Sequence, residues 1–84
     1  MLHTAQELDA RGLNCPLPIL RAKKALNGLQ QGEILSVRAT DPGSVKDFDA
    51  FCKQTGNELV SSLQDSGEYV FQIRKNVRVQ TSAA

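Results

Sequence analysis

The chain contains two cysteines, and Cys15 is the one whose setting suits chemistry, because it begins a Cys-Pro-Leu-Pro element. Proline is favoured at the first position of a helix, so Pro16 predicts a helix that starts beside the thiol, with Cys15 as its N-cap. Cysteine is not among the residues that cap helices well, so something other than helix stability should explain its presence, and one candidate is chemistry. The reactive form of cysteine is the thiolate, and helix N-termini stabilise anions.

The helix dipole alone would activate Cys15 only slightly. It contributes about 0.3–1 kcal/mol at an exposed site, which lowers a thiol pKa by well under one unit. Arg11 or a basic group on a partner would have to add to it. Pro16 and Pro18 stiffen the backbone on either side of Leu17, so we expect the sulfur to be held at a fixed angle. The alternative is that Cys15 is a small buried residue at a strand–helix junction.

The other residue types narrow the available chemistry. The sequence has no Cys-x-x-C pair, and its single histidine, His3, lies near the N-terminus, so neither a dithiol redox site nor a Cys–His pair is expected. Two cysteines and one histidine so widely spaced do not predict a zinc site, and we expect no metal and no cofactor. Cys52 lies on an apolar helical face and is expected to be buried and inert. An exposed Cys15 could then carry a sulfane sulfur as a persulfide, since no neighbouring thiol would expel it.

Hydrophobic periodicity predicts four strands and two helices in the order βαβαββ. We expect strands over residues 6–10, 33–40, 58–64 and 68–74, and helices over 19–27 and from Ser44 until Gly56 ends the second one. Two strand–helix–strand crossovers favour parallel neighbours, and a closing hairpin with its turn at 65–67 adds an antiparallel pair. The predicted fold class is α+β: a two-layer α/β sandwich in which two helices cover one face of a four-stranded mixed sheet.

The apolar positions of these elements define the expected core. The segment 44–47, Ser-Val-Lys-Asp, has the spacing of a capping box and opens the second helix. Four of the elements have an apolar face: Ile19, Ala22, Ala25 and Leu26 in the first helix, Val45, Phe48, Phe51 and Cys52 in the second, Leu35, Val37 and Ala39 in the second strand, and Tyr69, Phe71 and Ile73 in the last. The aromatic residues are thereby assigned to the core rather than to a surface that stacks on bases.

The composition indicates one small domain. The chain has 84 residues, a net charge of +1, 40% hydrophobic residues and 23% charged residues. We assign residues 1–76 to the domain and expect residues 77–84 to form a flexible C-terminal tail. The near-neutral charge gives no reason to expect direct binding to nucleic acid or to a membrane. No run of about 20 apolar residues and no secretory signal is present, so we expect a cytoplasmic protein with reduced thiols.

The Cys-Pro-Leu-Pro element lies within a longer pattern. Residues 8–18 read Leu-Asp-Ala-Arg-Gly-Leu-Asn-Cys-Pro-Leu-Pro, and an amphipathic helix follows them. This segment closely resembles the signature of the TusA/SirA-like sulfur-carrier family. Further matches are Gly-Glu at 32–33, Thr-Asp-Pro-Gly at 40–43, Phe-Cys at 51–52 and Ile-Arg-Lys at 73–75. The resemblance covers about residues 6–75, which is nearly the whole domain.

The resemblance implies a βαβαββ sandwich that acts as a sulfurtransferase. Cys15 would accept sulfane sulfur as a persulfide from a cysteine desulfurase or a rhodanese-type donor, with Pro16 and Pro18 positioning the sulfur. The sulfur would then pass to an acceptor protein of DsrE type or similar. Family members serve tRNA thiolation, molybdenum cofactor synthesis or oxidative sulfur metabolism. Partner contacts are expected at Arg11, Leu17, Arg21, Lys23, Lys24 and Asp41.

Leu17 is a departure from the family pattern, because some members used in tRNA thiolation carry an acidic residue between the two prolines. An apolar residue beside the cysteine suggests a different partner surface; Leu17 is either an exposed docking contact or simply packed. A monomer is the expected state for a carrier that docks with its partners in turn. Two alternatives stay open from the sequence: a noncatalytic regulatory or RNA-binding module, and a thiol redox sensor in which Cys15 is oxidised reversibly.

Overall fold

A computed structural model describes residues 4–76, which contain two helices and four strands in the predicted order. The elements are β1 Thr4–Ala10, α1 Leu17–Asn27, β2 Ile34–Ala39, α2 Ser44–Thr55, β3 Glu58–Asp65 and β4 Glu68–Arg74. His3 and the predicted tail at 77–84 lie outside the described residues. Within residues 4–76, neither helix has the length and apolar content needed to cross a membrane.

The four strands form one mixed sheet with the order β1-β2-β4-β3. β1 and β2 are parallel, and β4 is antiparallel to both of its neighbours. The first crossover therefore joins neighbouring parallel strands as predicted, but the second does not, because β4 lies between β2 and β3. Burial accounts for this order, since β4 contributes the fully buried Phe71 and Ile73, whereas β3 is largely exposed and suits an edge.

The predicted turn between β3 and β4 is present and has two residues. Asp65 pairs with Glu68, which leaves Ser66 and Gly67 as the loop. Both have positive φ, 51° and 82°, which is typical of a type I′ turn whose twist matches that of the flanking strands. Because glycine adopts this conformation without a steric penalty, the Ser-Gly pair favours the observed hairpin register.

Both helices pack on the same face of the sheet and share one core with it. Leu35, Val37 and Ala39 of β2 are fully buried, as their alternation predicted. Phe48 of α2 stacks on Phe71 of β4, with ring centroids 4.6 Å apart. The core also contains Ala10, Ala22, Leu26, Phe51, Cys52 and Ile73, and Ile19, Ala25 and Tyr69 pack against it partly buried. The two-layer α/β sandwich is therefore confirmed.

The start of α2 differs from the prediction. Gly43 occupies the N-cap position and no side chain caps the helix, so the capping box of residues 44–47 does not form. The side chain of Ser44 is buried, and its Oγ lacks a hydrogen-bond partner among the described residues. Val45, predicted to face the core, is 41% exposed. The carbonyl of Asp41 accepts the Ser44 N–H at 2.9 Å and closes a turn before the helix, so Ser44 lies inside α2 instead of capping it.

Candidate functional site

Cys15 lies at the corner where the loop after β1 meets α1. The first helical carbonyl is that of Pro16, which accepts a hydrogen bond from the N–H of Leu20 at 3.1 Å. Pro16 is therefore the N-cap residue, and the prediction that Cys15 caps the helix is wrong by one position. The shift arises because Cys15 and Pro16 belong to a turn before the helix, which the N–H of Leu17 closes by donating to the carbonyl of Asn14 at 2.8 Å.

The two prolines that follow Cys15 lie in different environments. The Cys15–Pro16 peptide bond is cis, and Pro16 is exposed at the corner. Pro18 lies within the first turn of α1, and its side chain is fully buried. The N-terminal turn of the helix is thus anchored in the core, while the residues just before it stay at the surface.

The residues that follow β2 hold the loop that carries Cys15. Because β1 and β2 are parallel neighbours, the loops that follow them leave the sheet at the same edge. Oγ1 of Thr40 accepts the N–H of Gly12 at 2.9 Å, and Oδ2 of Asp41 accepts the N–H of Cys15 at 3.1 Å. Gly12 has a φ of 80°, a conformation that a residue with a side chain would adopt only under strain. Hydrogen bonds to side chains of the loop that follows β2 therefore fix the backbone at Cys15.

The two thiols have opposite environments. Cys15 is exposed and free, which excludes the alternative of a buried structural cysteine. Cys52 is 3% exposed in the core. Burial, with a smaller contribution from the charge of Asp49, raises the pKa of Cys52 to about 11. A buried neutral thiol is inert, so Cys15 is the accessible thiol of the chain.

Two carboxylates lie beside the thiol of Cys15. Its Sγ and the carboxylate oxygens of Asp41 and Asp47 all lie within 4.8 Å of one another. Hydrogen bonding of the thiol to Asp47 raises the pKa of Cys15, and desolvation and the negative charges of Asp47 and Asp41 raise it further. The slight lowering of the thiol pKa that the helix dipole alone would give is outweighed, because the hydrogen bond with Asp47 and the two negative charges favour the protonated thiol.

Asp47 is the member of this group that the sequence did not indicate. Local spacing assigns it to helix capping, whereas its carboxylate meets a thiol on a different element. The contact arises because α1 and α2 pack on the same face of the sheet, which brings the first turn of α2 to the corner at Cys15. No signal in a single sequence relates these two positions. The resemblance singles out Asp41 as a partner contact, and the structure shows in addition that its side chain holds the backbone of Cys15.

The group formed by Cys15, Asp41 and Asp47 does not match the common zinc sites. Catalytic zinc sites use three protein ligands such as three histidines, two histidines and a glutamate, or two cysteines and a histidine. The group here offers one thiol and two carboxylates, all at or near the surface. Its donor set therefore gives no reason to assign a metal.

An apolar groove lies between α1 and the edge strand β1, and Leu17 is at its end nearest to Cys15. Leu17 and Leu20 are 45% and 54% exposed, so the groove presents two large aliphatic side chains to solvent. The remaining lining residues are Gln6, Leu8, Arg21, Lys24, Ala25 and Gly28. Three predicted partner contacts thus meet in one groove with Leu20, which was not predicted. Lys23 is exposed on α1 but is not part of the lining.

Arg11 forms ion pairs with carboxylates other than those beside Cys15. Its guanidinium binds Asp9 at 2.9 Å and Glu68 at 3.4 Å, and Arg38 binds the same Glu68 at 2.9 Å. The hydrogen bond from Arg11 lowers the pKa of Asp9 to about 2, and the guanidinium of Arg38 lowers the pKa of Glu68. Arg11 therefore braces the loop against β4, and it is not among the charges that act on Cys15.

Fold and site together define a small α+β domain that presents one accessible cysteine where a strand leads into a helix. The family model described as sulfurtransferase TusA matches residues 6–75. The chain belongs to the TusA family, as the resemblance of its Cys-Pro-Leu-Pro segment indicated.

Individual relatives agree with this assignment. The sulfur carrier protein TusA of Allochromatium vinosum is 68% identical over 71 residues, which cover 84% of this chain and 93% of that protein. The sulfur carrier protein TusA of Pseudomonas entomophila is 41% identical over 75 residues, covering 89% of this chain and 92% of that protein. The crystal structure of a SirA-like protein from Desulfitobacterium hafniense matches with a TM-score of 0.75 and 29% identity, over 84% of this chain and 97% of that one.

Proposed function

We propose that this protein is a sulfur-relay carrier: a sulfurtransferase that accepts sulfane sulfur as a persulfide on Cys15 and hands it to an acceptor protein. The observation that carries the proposal is the exposed thiol of Cys15 on a backbone held by Asp41, in a chain whose other thiol is buried. Membership of the TusA family and the sulfur-carrier names of its relatives support it.

The transfer needs no external oxidant or reductant. The thiolate of Cys15 attacks the terminal sulfur of a donor persulfide, so that a new S–S bond forms at Sγ while the S–S bond of the donor breaks. The donor leaves as a thiolate and takes up a proton, which balances the proton lost from Cys15. To unload the carrier, an acceptor thiolate attacks the terminal sulfur and regenerates the thiolate of Cys15.

The burial of the second thiol, that of Cys52, suits this role. A neighbouring thiol would attack the inner sulfur of the persulfide, close a disulfide and release the cargo as sulfide. Cys52 is 3% exposed among core side chains, and its pKa is raised to about 11. The loaded form can therefore persist until an acceptor docks.

Pro16 and Pro18 are the proposed positioning residues. Pro18 is fully buried and anchors the first turn of α1, while Pro16 lies between that turn and the thiol. Proline also fixes φ and lacks an N–H, so this segment has few alternative conformations. The sulfur would thus be presented to each partner at the same angle.

The groove between α1 and β1 is the proposed docking surface, together with Asp41 at the corner. Leu17 and Leu20 offer apolar contact, and Arg21 and Lys24 border them with positive charge, which suits partners with acidic and apolar side chains. The proposed donor is a cysteine desulfurase or a rhodanese-type protein, and the proposed acceptor is a protein of DsrE type or similar. The carrier would act as a cytoplasmic monomer formed by residues 1–76, in tRNA thiolation, molybdenum cofactor synthesis or oxidative sulfur metabolism.

The test is sulfur loading followed by mass spectrometry. The chain is incubated with a cysteine desulfurase and cysteine, and separately with a rhodanese and thiosulfate. We expect a mass gain of one sulfur atom that a reducing agent reverses. Cys15→Ser should abolish the gain, and the matched variant Cys52→Ala should keep it. A gain that maps to Cys52, or no gain with either donor, would refute the proposal.

A further inference from the structure

We propose that Asp47 and Asp41 keep the proton on Cys15 while the carrier is free, and that a sulfur-exchanging partner releases this proton by bringing a lysine or arginine side chain to the two carboxylates. This inference rests on the proposed function, because it concerns how the sulfur-accepting thiol is switched between an inert and a nucleophilic state. It makes Asp47 a positioning residue that acts through the thiol of Cys15, and it requires a partner with a lysine or arginine side chain at the interface.

The first support is that both carboxylates are fixed close to the thiol. Their oxygens and the Sγ of Cys15 lie within 4.8 Å of one another. Asp41 is held by the N–H of Cys15 at 3.1 Å and by the N–H of Gly43 at 3.4 Å. Asp47 is half-buried in the first turn of α2, where its N–H donates to the carbonyl of Gly43 at 3.1 Å. The two charges are therefore built into the corner rather than carried on free surface side chains.

The second support is that, within residues 4–76, the elements around the thiol supply no compensating cation. The first turn of α1, residues 17–20, has no ionisable side chain, and the basic residues of that helix begin after it. Arg11, on the loop before the thiol, is paired with two carboxylates of its own. Lys46 is exposed beside Asp47 in sequence but is not among the charges that act on the thiol. The acting charges are those of Asp47 and Asp41, and the resulting shift raises the thiol pKa.

The consequence is a thiol that is mostly protonated near neutral pH in the free protein. A protonated thiol is a poor nucleophile and a poor target for oxidants, so the empty carrier is protected. A cation placed beside the two carboxylates offsets their charge and favours the thiolate. Because docking also excludes water, the same cation acts more strongly within the interface than in bulk solvent.

The experiment measures the thiol pKa of Cys15 in the full chain from the pH dependence of iodoacetamide alkylation, with the labelled site assigned by peptide mass spectrometry. Asp47→Asn should lower this pKa. The slope that relates nucleophilicity to pKa is about 0.4–0.5, so a tenfold gain in thiolate would appear as about a threefold faster alkylation at pH 7. Asp47→Glu should restore the wild-type profile. The matched control is Asp49→Asn, which removes the same charge from α2 at a carboxylate that pairs with Lys53 at 3.1 Å.

The part of the inference that concerns the partner is tested with hexa-arginine as the probe. At constant ionic strength, this peptide should accelerate alkylation of the wild type and leave the variant with both Asp41→Asn and Asp47→Asn unchanged. Equal profiles for wild type and Asp47→Asn, or equal shifts in Asp47→Asn and Asp49→Asn, would overturn the role of Asp47. No acceleration by the peptide, or acceleration of both proteins, would overturn the role of a partner cation. Sulfur loading of Cys15 is a separate measurement, so the proposed function can stand if this inference fails.

Discussion

The backbone N–H of Cys15 donates a hydrogen bond to Oδ2 of Asp41 at 3.1 Å, and this bond ties the residue before Pro16 to the second residue after β2. Oδ1 of the same carboxylate faces the N–H of Gly43 at 3.4 Å, so a single side chain organises both loops at this edge of the sheet. The arrangement depends on topology, because parallel pairing of β1 and β2 places the two loops side by side. The accessible thiol is therefore held by a part of the chain that is distant in sequence.

The first prediction concerns the side chain of Asp41. Asp41→Ala removes the acceptor of two backbone N–H groups, so we expect the free energy of unfolding to fall by about 1 kcal/mol. Asp41→Asn keeps an acceptor oxygen and should lose less. Urea denaturation followed by circular dichroism measures both values. If the alanine variant were as stable as the asparagine variant, the hydrogen bonds of Asp41 would not hold the corner.

The second prediction concerns the stacked pair Phe48 and Phe71 in the core. Both rings are fully buried, so Phe48→Ala should reduce the free energy of unfolding by about 3–5 kcal/mol through lost burial and a residual cavity. Leu63→Ala is the control, because this residue is 62% exposed on β3 and its truncation should change stability by about 0.5 kcal/mol or less. Similar losses in the two variants, measured by urea titration, would contradict the described core.

The third prediction concerns the groove between α1 and β1. Leu20→Asp and Lys24→Glu place negative charge where we propose that acidic partners dock, so each should weaken the apparent affinity for a protein sulfur donor by about tenfold, or about 1.4 kcal/mol. Loading from a small persulfide such as cysteine persulfide should not change, because the thiol itself is unaltered.

The matched control for the groove is Lys53→Glu, which reverses a charge on an exposed residue of α2. It should leave both reactions at wild-type rates. Comparable weakening in Lys53→Glu and Lys24→Glu would indicate a general effect of net charge rather than a docking surface.

The fourth prediction concerns acid stability and the ion pair between Arg11 and Asp9. The pKa of Asp9 is lowered from its ordinary value of 3.8 to about 2 in the folded protein. A lowered folded-state pKa means that the unfolded chain binds more protons in this range, so the pair stabilises the fold above about pH 4 and its contribution disappears as the pH falls towards 2. Thermal unfolding between pH 7 and pH 2 should show this loss in wild type.

Arg11→Gln provides the comparison, since it removes the cation that lowers the pKa of Asp9. Its unfolding temperature should depend less on pH below 4 than that of wild type. Arg21→Gln removes the same charge from the exposed face of α1 and should retain the wild-type acid dependence. Parallel curves for wild type and Arg11→Gln would show that this ion pair does not contribute.

Much of the fold follows from local patterns in the sequence. The alternation of Leu35, Val37 and Ala39 marks a strand with one buried face, and Ser66-Gly67 suits a two-residue turn, so these features need no distant information. The position of β4 between β2 and β3 does not follow, because it depends on which strand contributes more buried surface to the assembled sheet.

The sequence likewise predicts one part of the candidate site, while another part depends on how the helices pack. The Cys-Pro-Leu-Pro element marks Cys15 by its residue types, and the structure confirms that the thiol is exposed. The meeting of Cys15 with Asp47 depends on how α2 packs, so local spacing did not indicate that the thiol pKa is raised. The exposure of Val45 was missed for a related reason, since a helical face seen in the sequence does not reveal how the helix is rotated against the sheet.

The most direct test of the central claim follows one sulfur atom through a complete relay. The chain is loaded by a desulfurase with cysteine that carries a heavy sulfur isotope, separated from the donor, and then mixed with a DsrE-type acceptor. We predict that the isotope is found on Cys15 after loading, and that it then leaves Cys15 as the acceptor gains it. Retention of the isotope on Cys15, or its release only as free sulfide, would contradict a role as a sulfur carrier.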